Sequence, residues 1–216
     1  MSLRVFETFT SIQGESSHAG RLCFFIRLAG CPLRCRYCDT AYARDFAAGA
    51  ERPIAELVRE ASLSAIHLVE ITGGEPLAQP ESLTLMERLT ERGFEVLLET
   101  SGALSTAAVP EAVCRIIDYK LPSSGMNDRM LPENFRHLRP HDEVKFVIGD
   151  AADYDCAAAA IRAFDLAAQT PHILYSPVWG GMPFRELAER IIADRLPGRM
   201  QIQLHKIIWG PDRMGV

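Results

Sequence analysis

The chain has 216 residues, 48% of them hydrophobic and 24% charged, with 23 lysines and arginines against 28 aspartates and glutamates for a formal charge of −5. That length leaves room for one domain with a sizeable core, and the acidic balance lacks the basic footprint of a nucleic-acid binder. No apolar run reaches the ~18 residues of a membrane span, and the opening "MSLRVFETFTSIQGES" has neither the apolar stretch nor the cleavage site of a signal peptide. The expected location is therefore cytoplasmic, where thiols stay reduced.

Short apolar runs bounded by loop residues predict strands along the chain. An extra strand over "LRVFETF" (3–9) precedes "LCFFIRL" (22–28). There follow "IHLVEIT" (66–72), "FEVLLET" (94–100), "RIIDYKL" (115–121), "EVKFVIG" (143–149), "HILYSPV" (172–178) and "MQIQLHK" (200–206). Helical patterns fill the gaps. "PIAELVREASLS" starts with Pro53 in the first turn and spaces Ile54, Leu57, Val58 and Ala61 along one face. "PESLTLMERLTERG" places Leu83, Met86 and Leu89 together and stops at Gly93. "DYDCAAAAIRAFDLAAQ" and "PFRELAERIIADR" are two more helices, and 122–140 reads as an irregular excursion. Alternating strands and helices imply βαβ units and a parallel sheet, with near-continuous apolar strands that suit burial on both faces. The expectation is an α/β fold, an incomplete (β/α) TIM-like barrel of about six parallel strands. It would form one domain over 1–216 with a short N-terminal substrate-binding extension. Sites in such folds lie beyond the C-terminal strand ends, and polar groups gather there: Cys31, "TGGEP", "ETSG", "KLPSSG", "YSP" and "HK".

The stretch "CPLRCRYCDT" puts Cys31, Cys35 and Cys38 in a C-x3-C-x2-C pattern. A structural zinc needs a fourth ligand, and Cys23, Cys114, Cys156, His18 and His67 offer no second pair. A [4Fe–4S] cluster also takes four cysteines as a rule, so three would leave one iron open for a substrate. Three unrelated core thiols are the remaining reading.

The cysteine spacing, with Tyr37 before the last thiol and "TGGEP" (72–76) one βα unit later, resembles the signature of the radical S-adenosylmethionine (SAM) superfamily. "FTSIQGES", "FIRLAGC", "CDT", "ETSG", "KLPSSGM" and "QLHKIIWG" narrow that to a resemblance to the 7-carboxy-7-deazaguanine synthase family, covering residues 5–210. What the resemblance implies is a carbon–nitrogen lyase of queuosine precursor biosynthesis. A [4Fe–4S] cluster on Cys31, Cys35 and Cys38 would bind SAM and cleave it to methionine and a 5′-deoxyadenosyl radical. The substrate 6-carboxy-5,6,7,8-tetrahydropterin would contract to 7-carboxy-7-deazaguanine with loss of ammonia, assisted by Mg2+. A reductant such as flavodoxin and a homodimer are implied as well. The alternatives are an activase of a glycyl-radical enzyme and, in another class, an iron–sulfur electron carrier.

The same resemblance assigns residues. Tyr37, Cys38, Asp39, Gly73, Gly74, Ser123 and Ser176 would contact SAM, and Thr40 the Mg2+. Ile12, Gln13, Gly14, Glu15, Arg27, Thr72 and His205 would contact the substrate, and Glu99 would hold the SAM ribose or move a proton. The residues themselves also allow plainer roles. Gln13 could sit in a solvated loop, Thr40 could cap a turn, and His205 could be structural. Arg27, a charge inside an apolar strand, needs an anion, which a salt bridge would supply as well as a substrate carboxylate. Pro32 stands where many relatives have Asn, and the tail "GPDRMGV" gives Val216 no role.

Overall fold

The computed structural model describes residues 1–216. Strand β1 (Ser2–Ile12) is longer than the apolar run predicted and folds back antiparallel onto β2 (Leu22–Leu28). A short β3 (Ala50–Pro53) lies on the far side of β1 and leads into α1 (Ile54–Ser64). Pro53 is extended, with φ −61° and ψ 138°, and so stands before the helix rather than in its first turn. Then come β4 (Leu68–Gly73), α2 (Ser82–Glu91), β5 (Glu95–Thr100), β6 (Cys114–Tyr119), β7 (Glu143–Ile148), α3 (Ala151–Ala163) and α4 (Leu166–Gln169). The chain closes with β8 (His172–Pro177), α5 (Phe184–Asp194), β9 (Arg199–Met200) and α6 (Leu204–Trp209).

The strand order is β3-β1-β2-β4-β5-β6-β7-β8-β9. From β2 onward every pairing is parallel, giving six full strands and the two-residue β9. The two ends of the sheet do not pair, so the architecture is the expected incomplete (β/α) barrel. The predicted strand over 200–206 survives only at Met200. Gln201 N still donates to Tyr175 O, but Leu204 N turns to Gly14 O at 3.0 Å and the chain becomes α6. The single helix expected over 153–169 breaks at Asp165, whose φ is 49°. Residues 122–140 hold three short 3-10 turns.

Helices cover the outer face of the sheet. Ile54, Leu57, Val58 and Ala61 of α1, with Leu85, Met86 and Leu89 of α2, pack on Ile26, Val69, Ile71 and Leu98. Leu85 takes the central place expected of Leu83, which is only partly buried. Tyr154, Ala157 and Ile161 of α3 and Leu187 of α5 cover Val144, Phe146 and Ile173. The inner face departs from the expectation of strands apolar on both sides. One apolar layer crosses it, made of Cys23, Phe25, Leu68, Leu97 and Ile116. Toward the C-terminal strand ends the inward positions are polar: Arg27, Glu70, Thr72, Glu99, Asp118, Lys120 and Lys145. Side chains alternate along a strand, so each such residue sits two positions from another inward one. No helix is long and apolar enough to cross a membrane.

Candidate active site

A cavity of 670 Å³ opens at the C-terminal ends of the strands. The loop after β2 brings Cys31, Cys35 and Cys38 to its wall. Backbone bonds fix that loop: Gly30 N donates to Ala43 O (2.8 Å), Cys31 N to Arg44 O (3.0 Å) and Arg36 N to Ser124 O (3.0 Å), while the Arg44 guanidinium donates to Cys35 O (2.7 Å). Burial pushes the Cys31 and Cys35 thiols up, and a Cys38 thiolate beside them would raise both further. Such a set needs a metal to stay deprotonated. The other three cysteines are outside this cavity, so the donor set fits a cluster with one iron free of protein thiolate.

The "TGGEP" turn lies against the cysteine loop. Gly73 has φ +136°, and a Cβ there would meet Leu28 O at 2.1 Å. A Cβ on Gly74 would meet Gly30 O at 2.3 Å and Cys31 Cβ at 3.0 Å, so only glycine lets the two loops touch. Glu75, fully buried, accepts from Leu77 N, Thr100 Oγ1 and Ser101 N, tying β4 to the end of β5. Its part in the motif is to hold the backbone in place.

The loop between β1 and β2 enters the barrel. Gln13 donates to Glu70, and Glu15 accepts from Gln203 Nε2 (2.6 Å) and pairs with Lys145 Nζ (3.0 Å). Gly14 packs on His205, and a Cβ there would lie 2.3 Å from His205 Nδ1. Burial lowers the His205 pKa, favouring a neutral ring. Arg27 Nε donates to Glu7 Oε1 at 2.9 Å, and the guanidinium lies 5.4 Å from the Phe9 ring centre and 5.9 Å from that of Tyr42. The salt bridge foreseen for Arg27 is present, yet its two terminal nitrogens have no hydrogen-bond partner in the chain and line the cavity. Thr40 stands at the cap position of a 3-10 turn but makes no cap bond with its side chain.

The centre is a network of charges. Lys145 is buried and pairs with Glu15, Glu99 and Asp118, the last at 3.4 Å. Asp118 also receives Lys120 Nζ at 2.6 Å. Glu99 accepts from Thr72 Oγ1 at 2.9 Å. Burial alone would raise the Glu99 carboxyl, but the Lys145 ammonium and these hydrogen bonds hold it at about 2. Glu70 goes the other way. Burial, and then the nearby Glu99 charge, push it well above the ordinary carboxylate range, favouring the protonated form. At the rim, Lys206 Nζ lies 2.7 Å from Asp39 Oδ2 and holds Asp39 at about 2 against the upward push of burial.

The sequence relatives match this architecture. Residues 25–164 match the radical SAM superfamily. The chain is 40% identical to the 7-carboxy-7-deazaguanine synthase of Koribacter versatilis, covering 99% of this chain and all of that protein. It is 43% identical to the synthase of that name from Chlorobaculum tepidum, over 99% and 97% of the two chains. The chain belongs to the 7-carboxy-7-deazaguanine synthase family of radical SAM enzymes. The crystal structure of QueE from Escherichia coli shares the fold, with a TM-score of 0.78 over 95% of both chains at 23% identity.

As a radical SAM enzyme the chain uses a [4Fe–4S] cluster and SAM, and the cavity gathers most of the residues expected for that family. Ile12, Gln13, Gly14, Glu15, Arg27, Cys31, Cys35, Tyr37, Cys38, Asp39, Thr40, Thr72, Gly73, Gly74, Glu99 and His205 all line it. Ser123 and Ser176 do not. The Ser123 hydroxyl donates to Asp153 on α3, and its N–H donates to the same carboxylate at 2.8 Å. Ser176, fully buried beside Val147 in the β7–β8 register, has an Oγ with no partner. Sequence reasoning missed Glu70, Lys145 and Asp118. The available signal was a polar residue recurring two positions from another within an otherwise apolar run, as in Glu70 and Thr72 or Glu143 and Lys145. The segment from Pro211 to Val216, given no role from sequence, also lies along the cavity.

Proposed function

We propose that this chain converts 6-carboxy-5,6,7,8-tetrahydropterin to 7-carboxy-7-deazaguanine with release of ammonia, in 7-deazapurine (queuosine) biosynthesis. The observation that carries the assignment to this cavity is that the cysteine loop and the Gln13–Glu15 loop open into one space. When bound, the cluster and SAM supply a carbon-centred radical that removes a hydrogen atom from the substrate. Cys31, Cys35 and Cys38 would hold the cluster, and Gly73 and Gly74 would let the backbone approach SAM, with Tyr37 and Asp39 beside it. The Oγ of Ser176 is unpartnered but fully buried outside the cavity, so it offers that set no direct contact. Ser123 is the weakest member of that set, because Asp153 already receives its hydroxyl.

The pterin end is read from hydrogen-bonding chemistry. Gln13, whose amide donates to Glu70 and accepts from the Glu15 N–H, keeps one N–H and one oxygen lone pair for the carbonyl and amino groups of a pterin. Gly14, with Ile12 beside it, leaves backbone exposed to the ring, and His205 closes the far side. The free nitrogens of Arg27 form a fork for the substrate carboxylate. Thr40, its hydroxyl not used as a cap, would share Mg2+ with that carboxylate, since Mg2+ takes oxygen ligands and seldom relies on one side chain. Glu99, ionised and oriented by Lys145 and Thr72, would hold the SAM ribose or move a proton in the ring rearrangement, and Lys145, paired in turn with Glu15, fixes it in place.

Clustered cysteines with no disulfide partner suit a cytoplasmic enzyme, and we assign it a flavodoxin-type reductant. We place it there as a homodimer of single-domain subunits in which the β1 loop is the substrate-binding extension. The reaction is tested by anaerobic incubation of the cluster-loaded protein with SAM, reductant and carboxytetrahydropterin, followed by mass spectrometry. Formation of 7-carboxy-7-deazaguanine is expected; its absence from a protein with an intact, reduced cluster overturns the assignment.

A further inference from the structure

A second cluster lies at the opposite end of the barrel, beyond the apolar layer of Cys23, Phe25, Leu68, Leu97 and Ile116. His18 from the β1–β2 loop, Cys114 at the start of β6 and Glu143 at the start of β7 each bring one ligand atom within 4.8 Å of the other two. Three separate elements supply these groups, so the curl and register of the sheet set their spacing rather than one mobile loop. They sit in or beside a cleft that also holds His172, the residue opposite Glu143 in the β7–β8 register.

We propose that His18, Cys114 and Glu143 form a zinc site that anchors the substrate-binding loop to the floor of the barrel. Imidazole, thiolate and carboxylate are the donors zinc takes, and three of them with a fourth position open make a tetrahedral site completed by water or one more residue. His172 lines the adjoining cleft. The surroundings are those of a metal site. His18 Nδ1 lies 3.4 Å from Glu95 Oε1, and Nε2 would ligate with Nδ1–H turned to that carboxylate, which requires Arg21 to give up its donation to Nδ1 at 2.7 Å. Glu143 is fully buried and forms no ion pair with any side chain of the protein. A buried carboxylate without a cation is costly, and here its oxygens are held only by Ser17, through its N–H at 3.1 Å and its hydroxyl. The Cys114 thiol donates to His141 O at 2.9 Å, and zinc would take the place of that proton. Ser17 and His18 follow Gln13–Glu15 by only a few residues, so a cation here would hold the loop that lines the active cavity.

The test uses the holoenzyme, with Cys31, Cys35 and Cys38 already occupied by the iron–sulfur cluster. The protein is incubated with one equivalent of zinc and desalted, and zinc and iron are counted together. One zinc per chain is expected, falling at least tenfold in His18→Ala and Cys114→Ala while iron is unchanged. X-ray absorption on the wild type is expected to show one sulfur at about 2.3 Å and nitrogen or oxygen at about 2.0–2.1 Å. Zinc retained in full by both folded variants overturns the site. If the variants do not fold, the wild-type spectrum decides: no sulfur neighbour, or three with loss of iron, overturns it equally.

Discussion

Lys145 is the cation on which the charge network depends, and its loss has a calculable consequence. Of its three carboxylate partners, Glu15 keeps Gln203 and Asp118 keeps Lys120 when Lys145 is removed. Glu99 keeps only the hydroxyl of Thr72. The substitution Lys145→Met therefore strands one half-buried carboxylate. Glu99 is held at about 2 against an ordinary value of 4.5. A depressed carboxylate contributes stability that is present above the unfolded value and is lost as pH falls through the folded one, here between 4.5 and about 2. At ~1.4 kcal/mol per pKa unit the difference is worth about 3 kcal/mol at neutral pH, and removing one partner of a buried pair costs ~3–5 kcal/mol. For a chain of this size each kcal/mol moves Tm by roughly 2–4 °C, so Lys145→Met should lower it by about 6–12 °C. The assay is an anaerobic thermal melt of four holoenzymes: wild type, Lys145→Met, Glu99→Gln, and the pair together. Because the second change removes the charge stranded by the first, the double variant should fall short of the summed losses by at least half of the Lys145→Met effect. Losses that simply add would refute the claim that Lys145 and Glu99 act as one unit.

Glu70→Gln keeps the shape of a group that is already neutral, so the wild type and the variant should melt alike at low pH. Above pH ~4.5 the unfolded Glu70 releases a proton that the folded one retains, so wild-type stability falls by ~1.4 kcal/mol per pH unit relative to Glu70→Gln. A melting difference that does not grow as pH rises above ~4.5 would refute the upward shift of Glu70. Gly74→Ala should cut bound iron several-fold, because the new Cβ meets Gly30 backbone rather than a movable side chain; full iron content would refute that contact. Arg27→Lys loses the fork and should weaken substrate affinity about 10–100-fold, the worth of a charged hydrogen bond, while iron content and SAM binding stay as in the wild type. Unchanged substrate affinity would reduce Arg27 to its bridge with Glu7.

Which parts of this site were legible in sequence follows from how local their chemistry is. The cysteine loop and the glycine turn are legible because each requirement lies within a few residues: thiols at wrapping distance, and glycines where a backbone must pass. The sheet is legible for a similar reason, since β2 and β4 to β8 each carry their own apolar run. Glu70, Asp118 and Lys145 are different. Each sits within a strand whose outer face is apolar, and its meaning depends on which strand lies beside it. Asp118 faces Lys145 only because β6 and β7 pair in that register, and Glu70 meets Gln13 only because the β1 loop turns into the barrel. The signal is a polar residue repeated at i and i+2, as in Glu70 and Thr72, Asp118 and Lys120, or Glu143 and Lys145. Period two in polarity is what separates a barrel interior from a sheet packed dry on both sides. The same long-range dependence explains the misjudged end of the chain. "MQIQLHK" alternates like a strand, but after Met200 the backbone leaves the sheet edge and Leu204 bonds to Gly14 instead. That contact seats His205 on the loop between β1 and β2 and closes the cavity with residues nearly two hundred positions apart.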